Sequence, residues 1–459
     1  MQSHFDKYGH FKNGDKGLSE FLAAFLVENM KTGRRTNIFR AFQNRNYTLF
    51  FTGQSISQIG TWMQRTGVIW VVYTMTHSAL MLGLTVFASQ FPSFLLSLFG
   101  GIVSDRYNRY KILLFTQSAS IIQAVLLSIL TLTNHYTVWE ILSLSIILGV
   151  INAFDLPARQ PLVNELVNDK SDLPNALALN SSMGSVARLL GPALSGIVLV
   201  KFGAGICFLL NAASFVAVII SLLLMKLPGY KPLPVKKKIT SELTEGFMYL
   251  KNTPAIGVVI LMLTLVSLLV LPYNTLLPVF ARVIFKGDAA TFGFINSFIG
   301  LGAVVCTFFL ASLKPGTDLK FLLLGSTFFF GICLMFFSHT AYFPLAMLFA
   351  ALSGFGTVSL ITICNTIIQV DSDSNMRGRV FSYAAMAMLG MLPLGSLLIG
   401  AVSQKIGAPD TLLCQGIIAI VIAGVFSNFL RRDRLNKKNM EELEEVEDLV
   451  IKRISSINS

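Results

Sequence analysis

Twelve apolar blocks, each long enough to cross a lipid bilayer as a helix, dominate this chain. A helix needs about 20 mostly apolar residues to span the hydrocarbon core. Only 13% of the residues are charged, against about 25% in an average soluble domain, and this excludes disordered, collagen-like and disulfide-rich secreted chains. The blocks are 46–75, 79–104, 111–133, 137–157, 174–200, 204–227, 255–283, 290–312, 319–338, 342–367, 379–404 and 408–430.

Helix is the expected structure of every block, because a backbone exposed to lipid must satisfy its own hydrogen bonds. A membrane β-barrel would instead show alternating strands of about ten residues, and the sequence contains no such pattern. The predicted fold class is an all-α polytopic membrane protein with twelve transmembrane helices in two six-helix halves. No catalytic arrangement, metal-ligand spacing or phosphate-binding glycine loop accompanies the blocks, so neither an enzyme nor a metal or other cofactor is expected.

The positions of the positive charges predict the orientation in the membrane. Of the 36 Lys and Arg residues, 30 lie in the two tails and in the connections on the same side, and four lie in the opposite loops. Cytoplasmic loops carry the excess of Lys and Arg, so both termini are predicted to be cytoplasmic in a bacterial inner membrane. The net charge of +12 is therefore an orientation signal, and no nucleic-acid partner is expected. The other two cations, Arg65 and Arg188, lie inside blocks.

Charge and proline divide the chain into five segments. A basic, proline-containing stretch separates six blocks from the other six, and two repeated six-helix halves around a midplane site are a common transporter plan. The predicted segments are a cytoplasmic tail at 1–45, a first half at 46–227, a linker at 228–253, a second half at 254–430 and a charged cytoplasmic tail at 431–459.

The connection between the second and third blocks carries the most specific motif. Residues 100–111 read Gly-Gly-Ile-Val-Ser-Asp-Arg-Tyr-Asn-Arg-Tyr-Lys. They resemble the signature loop of the major facilitator superfamily, Gly-x-x-x-Asp-Arg-x-x-Arg-Lys, with Tyr110 as one inserted residue. Small residues allow close helix approach, and the resemblance implies a clasp that holds the cytoplasmic ends of helices in one access state. The residues assigned to it are Gly101, Asp105, Arg106 and Arg109.

Two further resemblances narrow the subgroup. Gly191 and Pro192, in the fifth block, resemble the Gly-Pro motif of exporters in that superfamily and are predicted to serve tight packing and rocking. Residues 154–161, Phe-Asp-Leu-Pro-Ala-Arg-Gln-Pro, and 175–181, Asn-Ala-Leu-Ala-Leu-Asn-Ser, resemble the drug:proton antiporter subgroup that contains the enterobactin exporter and macrolide efflux pumps. This resemblance implies proton-coupled export from the cytoplasm.

The substrate site is predicted from polar residues inside the blocks. Gln54, Gln58, Thr61 and Arg65 recur at helical spacing and share one face. An intramembrane charge usually faces a cavity or a partner, and two cations without a nearby midspan acid favour an anionic or carboxylate-bearing substrate. A purely structural role for each arginine remains an alternative. The predicted substrate-binding residues are Gln54, Gln58, Trp62, Arg65, Asn180, Arg188, Asn365 and Gln369.

The site of proton coupling is less well marked. Proton antiporters usually carry a titratable group in the pathway, yet no Asp or Glu lies midway through any predicted block. Asp155 and Arg159, four residues apart, are the best candidates, and a structural clasp at the end of the helix is the alternative.

The sequence thus predicts a secondary exporter of a small amphiphilic, siderophore-like molecule. Its expected partners are the small-molecule substrate, the proton gradient and the lipid bilayer, with outer-membrane efflux components as a further candidate; a monomer is expected. Multidrug or macrolide efflux and lysophospholipid flipping are the transport alternatives, and a membrane enzyme or a sensor is disfavoured.

Overall fold

A computed structural model of the chain describes residues 40–167, 170–225, 239–314 and 316–429. Most of the N-terminal tail, the charged C-terminal tail and the proline-containing part of the linker lie outside the described residues. The described helices are α1 Arg45–Thr76, α2 Ala79–Arg106, α3 Arg109–Thr133, α4 Val138–Leu166, α5 Leu173–Leu223, α6 Ile239–Asn252, α7 Pro254–Ile284, α8 Ala289–Ala311, α9 Leu319–His339, α10 Phe343–Asp371, α11 Arg377–Ile406 and α12 Ala408–Phe429.

Ten of the helices in the described ranges are long and apolar enough to cross a membrane. The helix α5 has 51 residues and contains one non-helical residue, Gly203, at φ 80°. This φ lies in the region that glycine enters without a Cβ clash, so α5 folds back there into two arms, 173–202 and 204–223. The bounds of the predicted blocks agree with these helices within a few residues, with one exception in α4.

The exception is that α4 continues nine residues beyond the predicted end at 157, to Leu166. Pro157 and Pro161 lie inside it, and each proline leaves the carbonyl four residues earlier without its helical donor. The Ser104 hydroxyl of α2 donates to the Pro157 carbonyl at 2.9 Å, which satisfies the group that Pro161 frees. A neighbouring helix therefore lets α4 pass through both prolines.

Close backbone contacts join the helices before the linker to those after it. We call the end of the bundle where α1, α3 and α5 begin the tail end, and the other the opposite end. At the opposite end a Cβ on Gly196 of α5 would lie 2.8 Å from the Ala289 carbonyl of α8, and one on Gly400 of α11 would lie 2.6 Å from the Ala79 carbonyl of α2. A contact of this kind is also present at Gly300 in the middle of α8, against Arg188 and Leu189 of α5, whereas Gly390 in the middle of α11 packs against the ring of Phe94 of α2.

A buried, hydrogen-bonded polar layer joins α1, α3 and α5. The Gln64 side chain of α1 donates to Gln123 of α3 at 3.0 Å and accepts from Asn211 of α5 at 2.7 Å. Such a connected network satisfies its own polar groups and fixes the rotation of α1. Trp70 of α1 is buried and stacks on Phe292 of α8 at 5.9 Å.

The predicted linker contains a helix that its prolines did not suggest. The helix α6 docks on the tail end of α11, where Glu245 pairs with Arg379 at 2.6 Å. The Tyr249 hydroxyl accepts from the Asp373 backbone N–H at 3.1 Å. The second part of the linker is therefore attached to the bundle.

Candidate functional site

A central cavity of about 140 Å³ lies between α1, α2, α5, α7, α8 and α11. Helices from before and after the linker both contribute to it, so the cavity lies at the surface along which these two sets of helices meet. Its lining residues are Trp62, Arg65, Thr66, Ile69, Val86, Arg188, Pro192, Leu271, Pro272, Asn274, Thr275, Phe292, Asn296, Ile299, Leu392 and Ser396.

Two cations and one aromatic ring dominate the chemistry of this cavity. The guanidinium carbons of Arg65 and Arg188 lie 5.3 Å and 5.6 Å from the centre of the Trp62 ring. Both arginine side chains are exposed to the cavity, and no ion pair or hydrogen bond is described for either within residues 40–167, 170–225, 239–314 and 316–429. None of the described residues that line the cavity is an acid. Cation–π contact holds the guanidinium groups, and their N–H donors can bind an anion.

A side chamber of about 240 Å³ adjoins the central cavity and shares Trp62 and Arg65 with it. It lies among the first five helices, toward the tail end. Its lining residues are Ser57, Gln58, Thr61, Trp62, Arg65, Gln117, Ser120, Leu148, Asn152, Asp155, Arg159 and Phe215.

The side chamber contains a buried carboxylate. Asp155 is 4% exposed and lies well inside α4, because that helix continues past the predicted block end. Its Oδ1 accepts from Thr116 at 2.9 Å and from Gln117 at 2.8 Å, and its Oδ2 lies 3.3 Å from Arg159. Arg159 also donates to the side-chain Oε1 of Gln54 on α1 at 3.1 Å. The expectation that no acid lies midway along a block depended on a block end at Pro157; in α4, which ends at Leu166, Asp155 lies near the middle of the helix.

The predicted substrate residues divide into two groups in the structure. Trp62, Arg65 and Arg188 meet in the central cavity, and Gln58 lines the side chamber with Thr61. Gln54 is buried and accepts a hydrogen bond from Arg159, which lines the side chamber, and its part in substrate binding stays a prediction. Three other residues are absent from the lining of both cavities, and their part in binding stays a prediction: Asn180, Asn365 and Gln369.

Several cavity residues were not assigned to the site from the sequence. Asn274 and Asn296 line the central cavity, and Asn152 lines the side chamber. Each is an intramembrane polar residue of the same kind as the predicted ones. Residue type therefore identified the candidates, but only the rotation of each helix decides which of them face the cavity.

The signature loop forms a clasp around Arg109. The Arg109 guanidinium pairs with Glu165 at the end of α4 and lies 3.5 Å from Asp105 at the end of α2. Gly100 makes the close approach to α4, since a Cβ there would overlap the Ala153 carbonyl. Gly101, predicted to share this role, faces open space because it lies one residue further round the helix.

The Gly-Pro motif of α5 lies where three helices meet. A Cβ on Gly191 would overlap Cβ of Trp62, and the Pro192 carbonyl lies against Gly293 of α8. Gly191 thus permits the contact that positions Trp62, and Pro192 lines the central cavity. The predicted tight packing is present; a rocking role stays a prediction.

Comparison with known proteins gives the family. A family model described as transmembrane secretion effector, of the major facilitator type, matches residues 36–455. The chain belongs to this family. Its relatives include the staphyloferrin A transporter of Staphylococcus aureus, 27% identical over 84% of this chain and 96% of the relative. The macrolide efflux protein A of Streptococcus pyogenes is 22% identical over 82% and 94%, and the enterobactin exporter EntS of Shigella flexneri is 25% identical over 67% and 73%.

Solved structures show the same fold. A variant of the nucleoside transporter NupG superposes with a TM-score of 0.68 at 11% identity, covering 84% of this chain and 99% of that one. A bacterial homologue of the lysosomal transporter Spinster, in an inward-facing and unoccupied conformation, gives a TM-score of 0.67 at 13% identity over 85% and 98%. The chain is therefore a multi-pass membrane transporter of the major facilitator efflux type, and not an enzyme.

Proposed function

We propose that this protein exports a small anionic, siderophore-like molecule from the cytoplasm by alternating access. The observation that carries the proposal is the pair of exposed, acid-free guanidinium groups of Arg65 and Arg188 in the central cavity. Arginine forks match carboxylates in a bidentate manner. The names of two relatives, a staphyloferrin A transporter and an enterobactin exporter, support a siderophore as cargo.

The proposed membrane topology has twelve spans in two six-helix halves. The ten apolar helices become twelve when α1 is added and α5 is counted as two arms, while α6 stays in the linker. An ion pair supports the repeat: Lys320 at the start of α9 lies 3.4 Å from Asp371 at the end of α10, in the place where Arg109 of α3 meets Glu165 of α4.

The proposed state faces the cytoplasm. The positive charges predict that the tail end faces the cytoplasm. In this proposal the cell is a bacterium, and both termini lie in its cytoplasm. The tight backbone contacts between the two halves lie from the middle to the opposite end, where Ser78 of α2 also donates to Gln404 of α11 at 3.0 Å. Contacts closed at the outer end are those expected of an inward-facing transporter.

Export of siderophores is testable in the native host. Deletion of the gene should lower siderophore in the culture supernatant under iron limitation, and expression of the intact chain should restore it. Macrolide efflux is the second candidate, supported by the relative of that name. Unchanged siderophore secretion together with increased macrolide sensitivity would replace the first proposal with the second.

Proton coupling is assigned to Asp155 and Arg159. A buried intramembrane carboxylate facing a polar chamber is expensive to keep and marks proton pathways. Protonation of Asp155 would remove the partner of Arg159, which also binds Gln54 on α1. Because α1 carries Trp62 and Arg65, the protonation state is linked to the substrate cavity through one helix.

Asp155→Asn is expected to uncouple export from the proton gradient, because the amide keeps the size of the side chain but cannot exchange a proton. Transport by vesicles should become nearly equal with and without an imposed gradient, while the unaltered protein loses activity when the gradient is collapsed. Asp410→Asn is the control, since this acid is exposed and paired with His339 at the opposite end. Retained gradient dependence in Asp155→Asn would contradict the assignment.

A further inference from the structure

A groove on the outer surface of the bundle is separate from both cavities. It has a volume of about 690 Å³ and lies between α2, α3 and α4 at the tail end. Its walls are apolar, formed by residues such as Ile112, Phe115 and Phe154. Phe115 is 76% exposed; on the surface of a membrane protein, such a ring faces lipid.

The mouth of the groove is cationic. Arg106 and Lys111 line it and are exposed, and neither has an ion pair or a hydrogen bond in the part of the chain that the structure describes. The third cation of the signature loop, Arg109, forms ion pairs with Glu165 and Asp105. Neither acid lines the groove. The loop therefore divides its cations between an internal clasp and the groove mouth.

The position of this mouth matches the surface of a bilayer. Arg106 ends α2 and Lys111 lies in the first turn of α3, so both lie where a span leaves the membrane. Tyr107 also lines the mouth and is 63% exposed, as is typical of residues at the level of the headgroups. The positive end of the α3 dipole adds to the attraction for an anion.

We propose that this groove binds a phospholipid with an anionic headgroup. The phosphate and the negative headgroup lie between Arg106 and Lys111, and an acyl chain lies against Phe115 and Phe154. A zwitterionic lipid fits the apolar wall equally well but leaves the two cations without their full counter-charge. Charge complementarity thus selects an anionic lipid over the other lipids of the membrane.

The groove also adjoins the proposed coupling site. Thr116 lines the inner end of the groove and donates to Asp155 Oδ1 at 2.9 Å. A bound acyl chain is therefore separated from the carboxylate by a single side chain. We expect the lipid to influence transport through α3, which carries both Thr116 and Gln117.

The test measures lipid retention by the purified full chain without cargo, so its outcome is independent of the proposed function. Native mass spectrometry would compare phosphatidylglycerol with phosphatidylcholine of the same acyl chains. The intact protein should retain more phosphatidylglycerol. The variant R106Q/K111Q should lose about thirtyfold in affinity for it, because each cation at an anionic bilayer surface contributes about fivefold.

Matched variants separate the groove from general surface charge. K251Q/K314Q removes two cations elsewhere on the tail-end surface and should keep full retention. Ala119→Trp fills the apolar wall and should lower retention of both lipids. This variant tests the groove independently if R106Q/K111Q does not fold. Equal retention of the two lipids by the intact protein, equal loss in K251Q/K314Q, or full displacement by water-soluble glycerol phosphate would overturn the proposal.

Discussion

Replacing Arg188 by Gln is expected to lower export of an anionic siderophore by about tenfold to a hundredfold, because a hydrogen bond to a charged group contributes about 1.5–3 kcal/mol. Arg65→Gln should act in the same direction, since both guanidinium groups lie against Trp62 in one cavity. The measurement is efflux of labelled siderophore from vesicles, at equal amounts of transporter. Export by Arg188→Lys should lie between export by Arg188→Gln and export by the unaltered protein, because lysine keeps the charge but lacks the bidentate fork.

The control for this prediction is Arg282→Gln at the opposite end of the bundle. Arg282 is exposed and its one described hydrogen bond is a long one to the Gly287 carbonyl, at 3.4 Å. Its replacement should leave export nearly unchanged. Macrolide efflux by the same variant distinguishes a substrate-binding role of Arg188 from a structural one. If Arg188→Gln lowers macrolide efflux as much as siderophore export, Arg188 has a structural role and the cavity does not select anions.

Gly100→Ala is expected to destabilise the folded protein by about 1–3 kcal/mol, the usual cost of adding atoms to a tightly packed contact. A Cβ on Gly100 would overlap the Ala153 carbonyl, and this carbonyl is the one that Pro157 leaves without a helical donor. The helices α2 and α4 would have to separate, and the clasp at Arg109 would loosen. Thermal unfolding in detergent and vesicle transport should both show the loss.

Gly325→Ala in α9 is the matched control, since a Cβ there meets nothing within 4 Å. Its unfolding temperature should stay close to that of the unaltered protein. Gly101→Ala should likewise fold normally. Loss of transport in a well-folded Gly101→Ala protein would assign Gly101 a contact in another access state, as the signature motif implies, whereas a Gly100→Ala protein of unchanged stability would contradict the packing described between α2 and α4.

The limits of inference from sequence are clearest in α4. Apolar content located this helix, but Pro157 was taken as its end, so Asp155 was placed near the end of its block. The structure places Asp155 in the interior because Ser104, remote in sequence, donates to the carbonyl that Pro161 frees. A proline ends a helix unless a neighbour satisfies the freed group, and the neighbour cannot be identified from local sequence.

The substrate site was likewise predicted only in part from the sequence. Arg65 and Arg188 were identified because an intramembrane charge is costly and therefore rare. Trp62 was predicted as a substrate contact, and the structure places both arginines against its ring. Gln54 shares a helical face with Arg65, yet it accepts a hydrogen bond from Arg159 of α4 and lines neither cavity.

The sequence by itself determined where the helices run and to which superfamily the chain is related, and the charges of its loops predict how the helices are oriented. Hydropathy and the charge of connecting loops act on each segment separately, so they can be recognised one block at a time. Only the tertiary structure decided which polar residues meet: the arginines with Trp62, Asp155 with Thr116, Gln117 and Arg159, and Gly100 with α4. These contacts depend on the rotation and close approach of helices far apart in the chain, and packing alone fixes both.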